Sequence, residues 1–176
     1  MRNLDLGKVY QKLEPGPVVL LTTADAGRAN VMAMSWHMMV EFNPPLIACV
    51  VSEGDFSFRA LTRTGECVIA IPPAELAETV VAIGNCSGRD VDKFARFGLK
   101  TRRAKEVEAP LIEDCLVNIE CRVLDRQLVA RYNLFILEAV KAWIDPKRAK
   151  DPTLHHCGYG RFRLDGDELR VRSAKP

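Results

Sequence analysis

Several things are missing from this 176-residue sequence, and each absence narrows what the chain can be. An excess of charge is one of them. Lys and Arg total 25 against 23 Asp and Glu, a formal net of +2, which gives no electrostatic footprint for nucleic acid or an anionic membrane. No apolar run approaches the ~20 residues that span a bilayer. Asp5 and Lys8 stand where a secretory signal would need an apolar stretch, so a cytoplasmic location is expected. Internal repeats, low-complexity tracts and Gly/Ser-rich linkers are also missing, and the length suits one domain.

Paired cysteine motifs are absent too. The six cysteines (Cys49, Cys67, Cys86, Cys115, Cys121 and Cys157) are scattered with no CxxC among them. Cys49 and Cys67 lie in apolar runs, where Cys behaves as a small hydrophobe, so reduced, buried thiols are expected. Adjacent residues on an extended chain point to opposite sides, so His155-His156-Cys157 is not expected to hold a metal ion. Standard catalytic devices are lacking as well: GxSxG, HExxH, a Walker loop and a strand–GxGxxG–helix unit. With three histidines in all, general bases are scarce. A bound cofactor would supply the reactivity that the side chains do not.

What is present reads mainly as β-structure. Val18–Thr23 and Asn30–Ser35 flank the turn signal Asp25-Ala26-Gly27 and predict a hairpin. Leu46–Ser52 follows Pro44-Pro45 as a third strand, and Glu66–Ile71 is a fourth, closed by Pro72-Pro73. Two helices are predicted: Ala74–Ile83, ending at Gly84, and Asp90–Phe97, with Asp90 as N-cap and Gly98 as the stop. Leu116–Leu124 and the long run Leu128–Ile144 return to strand, and Tyr159–Leu164 with Leu169–Arg172 predict a closing hairpin. The expected architecture is one β-barrel with a few short helices.

Two segments are unusual for such a barrel. Ala33–Pro45 (AMSWHMMVEFNPP) concentrates a Trp, a His and three Met, which core packing would explain on its own. Gly84–Phe94 (GNCSGRDVDKF) leads small residues into a helix start bearing Arg89 and Lys93. That start could hold a phosphate, or Asp90 and Asp92 could simply cap it.

Together with FSFRALTRTGECVIAIP, YNLFILEAVKAW and LHHCGYGRF, these segments resemble, in order from about Pro17 to Arg163, the flavoredoxin branch of the flavin-reductase-like family. The resemblance implies a Greek-key split β-barrel that binds FMN, usually as a homodimer with the flavin near the subunit interface. It implies that Asn30 and the backbone of Met34, Ser35 and Trp36 line the flavin, and that Val51 and Ser52 contact its side chain. By the same resemblance Ser57, standing where relatives often have Thr, lies near the phosphate, Lys93 pairs with it, and Phe162 packs against the cofactor. Arg131-Tyr132-Asn133 replaces a region where some relatives carry a His. The implied activity is an FMN oxidoreductase fed by NADH, NADPH or a redox protein; the alternative is an electron-carrier module that never binds nicotinamide. No side chain is assigned a catalytic role. Redox chemistry is expected to rest with the flavin, with Cys86, close to Arg89 and Lys93, as the one thiol placed to be reactive.

Overall fold

The computed structural model describes residues 1–9, 13 and 16–172. Strand β1 (Arg2–Leu4) and a 3-10 turn at Leu6–Lys8 precede the hairpin of β2 (Val19–Asp25) and β3 (Arg28–Met34). Strands β4 (His37–Phe42) and β5 (Pro45–Val50) form a second hairpin, followed by helix α1 (Phe56–Thr64) and β6 (Glu66–Ile71). A 3-10 turn at Ala74–Leu76 leads into α2 (Ala77–Gly84), and α3 (Lys93–Phe97) follows. Next come β7 (Thr101–Arg102), β8 (Leu111–Ile112), β9 (Val117–Asp125), α4 (Val129–Tyr132), β10 (Leu134–Ile144), β11 (Leu154–His156) and β12 (Phe162–Leu164). Among the described residues no helix is long and apolar enough to cross a membrane.

The main sheet is antiparallel, in the order β3-β2-β6-β9-β10-β5-β4, with β1 added to β10. Its two ends, β3 and β4, are consecutive in sequence. They are joined only by Ser35 and Trp36 and do not pair, so the barrel is split along that seam. The chain leaves β5 through α1 and crosses to β6, three places along the sheet, which is the long connection of a Greek key.

Alternation along each strand sends one set of side chains inward. Leu21, Ile69, Ile119, Phe135 and Leu137 meet there, all fully buried, and Phe58 of α1 packs edge-on to Phe135 with ring centroids 5.7 Å apart. A second cluster, including Val31, Val80, Ile83 and Leu99, lies under α2 and α3. On a third flank the buried carboxylate of Glu120 accepts from the N–H groups of Lys105 (3.0 Å) and Glu106 (2.5 Å) and from Trp143 Nε1 (2.7 Å), tying the 103–110 loop to the sheet.

The first hairpin and β6 fall where the sequence reading places them, to within a few residues at the ends. Other expectations are corrected. Asp92, not Asp90, caps α3: its carboxylate accepts from Phe94 N (3.0 Å) and Ala95 N (3.1 Å), so Lys93 opens the helix. The run from Leu128 is interrupted by α4, where Asn133 turns the chain at φ 56° before β10. Phe162–Leu164 pairs with Leu154–His156 and not with Leu169–Arg172, which forms no strand. Cys49, Cys67, Cys115 and Cys121 are buried thiols, but Cys86 is half-buried and Cys157 exposed because both sit in loops. Among the described residues no cluster of His, Cys, Asp and Glu is placed to hold a metal ion.

Candidate functional site

The site begins on the paired strands of the first hairpin. Asn30 of β3 stands opposite Thr23 of β2, and both are buried where an apolar pair would be the default. Asn30 Nδ2 donates to Ser57 Oγ at 2.9 Å, in the first turn of α1. Ser57 is buried behind Asn30, so it holds the amide that forms the wall. Asp55, the residue at the helix entrance, accepts from Ser52 N (3.0 Å) instead of capping α1, which leaves the N-terminus of that helix without a side-chain cap.

The facing wall is the loop after α2. Gly84, Asn85, Cys86, Ser87 and Gly88 run past Asn30 and Phe56 and enclose, with Lys93, a cleft of about 290 Å³. Gly88 can occupy its place only without a side chain. A Cβ there would fall 2.0 Å from Asn30 Oδ1 and 2.8 Å from Phe56 Cδ1. Arg28 fastens the loop by donating to the carbonyl of Gly88 (2.5 Å) while its guanidinium stacks over Phe56, 4.8 Å from the ring centre.

Lys93 is the chemical centre of this cleft. Its side chain is 5% exposed, and Nζ donates to the carbonyl of Ile83 at 2.9 Å, in the last turn of α2. That bond satisfies one orphan carbonyl of a helix C-terminus, which is reason enough for a cation to turn inward. No carboxylate lies within ion-pair distance of it among the described residues. Burial therefore lowers its pKa, and Cys86 and Asp55 offset this only in part. A buried ammonium with unused donors, an amide on the facing wall and an uncapped helix N-terminus fit an anionic group such as a phosphate ester.

The structure thus brings Asn30, Ser57 and Lys93 together. Val51 is fully buried, with its N–H given to Asn133 O (3.1 Å), and Ser52 opens the turn whose Gly54 and Asp55 line the cleft. Met34 points into the barrel core, whereas Ser35 and Trp36, the latter 71% exposed, form the seam between β3 and β4. Phe162 lies apart from the cleft, half-buried against the cluster under α2 and α3, with its ring 5.5 Å from that of His156. Sequence reasoning missed Arg28, Phe56 and Gly88. Of these only the glycine-bearing loop gave a signal, because close backbone approach is what Gly permits.

A family model described as flavin reductase like domain matches residues 12–163. The chain is 34% identical to the uncharacterized protein YddH of Escherichia coli K12, over 94% of this chain and 95% of that one. The structure superposes on an FMN-binding domain of a flavin reductases-like enzyme from Shewanella baltica with a TM-score of 0.91, at 24% identity and 97% coverage of each chain. It superposes on the flavoredoxin of Desulfovibrio vulgaris with a TM-score of 0.81, at 23% identity, covering 91% of this chain and 92% of the other.

Proposed function

The chain belongs to the flavin reductase-like family, and from that membership we propose that it is an FMN-dependent oxidoreductase accepting electrons from a reduced nicotinamide. One observation carries the cofactor: the buried Lys93 ammonium, with no ion-pair partner among the described residues, faces a cleft walled by Asn30 and a glycine loop. An FMN phosphate dianion supplies the missing charge. Bound FMN supplies hydride and single-electron transfer, which accounts for the lack of a catalytic triad.

The chain's own residues bind and orient. Lys93 holds the phosphate; Asn30 presents an amide to the same cleft, its rotamer set by Ser57. The segment Met34–Trp36 and the turn at Val51–Ser52 flank the seam on which the ring would rest, and Trp36 O is already engaged by Val50 N (3.0 Å). Cys86, in the cleft wall beside Lys93, takes no part in turnover.

A homodimer belongs to the same reading. Trp36, Met38 and Val40 project 71%, 61% and 47% exposed from the seam and the terminal strand β4, an apolar surface that a second copy would cover. Anaerobic titration with NADH and NADPH tests the function: the bound flavin should bleach at about one equivalent. Retained but unbleached flavin would instead identify a carrier reduced by a protein.

A further inference from the structure

Two pieces of this chain have the make-up of paired β-strand and lack a partner. The first is the outer edge of β4. Val50 N donates to Trp36 O (3.0 Å), which makes Trp36 and Val50 a hydrogen-bonded pair. Alternation along the ladder then turns the N–H and C=O groups of His37 and Met39 away from β5. Among the described residues nothing bonds to those groups. The register shift between Met39 and Glu41 ends the regular edge, so His37–Met39 is the stretch left to be paired. Beside it lies a cleft of about 460 Å³, bounded by Leu13 and Gly16 and lined by Met38, Met39 and Val40.

The second piece follows β12. Asp165 accepts from Thr153 N and fixes the point where the chain leaves the β11–β12 hairpin. From Glu168 to Arg172 the sequence ELRVR alternates charged and apolar residues at strand period. Yet the segment forms no strand, and Leu169 and Val171 stand 85% and 71% exposed. On an extended chain these two share one face, and Arg170 and Arg172 share the other. Neither arginine has an ion-pair partner among the described residues, and neither does Glu41, exposed toward the far end of β4.

We infer that the segment Leu169–Val171 of one copy adds as a strand to the open edge of β4 in a second copy, and the reverse. This rests on the homodimer reading and says how the two copies are joined. Main-chain bonds run to the outward groups of His37 and Met39, as in other cases of strand addition. Leu169 and Val171 fill the cleft beside Met38 and Val40, and the arginines meet Glu41. Length, apolar pattern and charge all match. The segment's own β4 is not its seat, because in the single chain it stands off the body with both apolar side chains in solvent. Exchange closes two open edges per dimer, edges that would otherwise template aggregation.

Sedimentation equilibrium of the full chain with two complementary variants tests this. L169D/V171D spoils the added strand and leaves β4 intact; M38E/V40E spoils β4 and leaves the strand intact. Each variant alone should raise the dimer dissociation constant about tenfold or more. An equimolar mixture of the two should dimerise more tightly than either alone, because one of the two contacts is whole in the mixed pair. Recovery in the mixture also shows that both variants are folded. In the wild-type dimer, amide exchange at residues 168–172 should be slowed about tenfold or more relative to M38E/V40E. A wild-type dimer in which those amides exchange freely overturns the inference and leaves the homodimer reading standing, and this measurement needs no variant. L169D/V171D dimerising as tightly as wild type, or no recovery in a mixture of FMN-binding variants, has the same consequence. Protected amides in a chain that stays single would place the strand on its own β4 and remove the homodimer reading as well.

Discussion

Lys93 shows how one residue can serve the fold and a ligand at once. Its bond to Ile83 O closes the end of α2, while the rest of its donor capacity faces the cleft. Burial lowers its pKa, so in the free protein it loses its proton below the ordinary lysine value of 10.5. Phosphate binding favours the charged form. FMN affinity should therefore fall as pH rises through the lowered pKa of Lys93. Fluorescence titrations from pH 7 to 10.5 check this, since Lys93→Met should flatten the alkaline limb. The segment GNCSGRDVDKF made Lys93 visible in the sequence, and the family resemblance pointed to Asn30. The partnership of Asn30 with Ser57 was not legible, because it depends on α1 docking across the hairpin. Nor was the burial of Lys93, which follows from Asp92 taking the cap and moving the helix start.

At the scale of elements, what the sequence revealed is what periodicity reveals. Strands with apolar alternation and clear turns, such as the β2–β3 hairpin and β6, stand out. Helix α1 does not, because its buried stripe is Ser57 and Leu61, one polar and one apolar residue, in a run rich in Arg and Thr. The sequence reading therefore missed this helix, although Gly65, which takes φ 70° as its left-handed C-cap, marks its end. Strand β4 was hidden in the Trp, His and Met cluster, whose side chains are divided between the core and an exposed face. Because Phe58 of α1 packs on Phe135 of β10, the helix that carries Ser57 is anchored to the barrel core. Phe135→Ala should cost about 3–5 kcal/mol of stability, measured by urea unfolding, through lost burial and the cavity left behind. A loss below 1 kcal/mol would show that the core collapses around the site and that α1 is held by other contacts.

For the whole molecule, the open seam between β3 and β4 is the organising feature. It leaves an apolar terminal strand uncovered in the single chain, and exposed edges of this kind are normally paired or blunted. Light scattering in the micromolar range should give a mass near twice 19.7 kDa, and Met38→Glu should shift it toward the monomer. A single-chain mass for the wild type would mean that the face is covered by something other than a second copy. The barrel, its split and its single domain were all within reach of the sequence. A homodimer was expected from the sequence, but the face that a second copy would cover was not legible, because burial by a partner looks the same in a sequence as burial by the core. The central claim, that the Lys93 cleft recognises a flavin by its phosphate, is tested most directly by comparing FMN and riboflavin affinities in wild type and Lys93→Ala. A charge-assisted contact is worth roughly 1.5–3 kcal/mol, so FMN should weaken about tenfold to a hundredfold while riboflavin changes little. Equal losses for both flavins would contradict the claim and make Lys93 a structural cap of α2 alone.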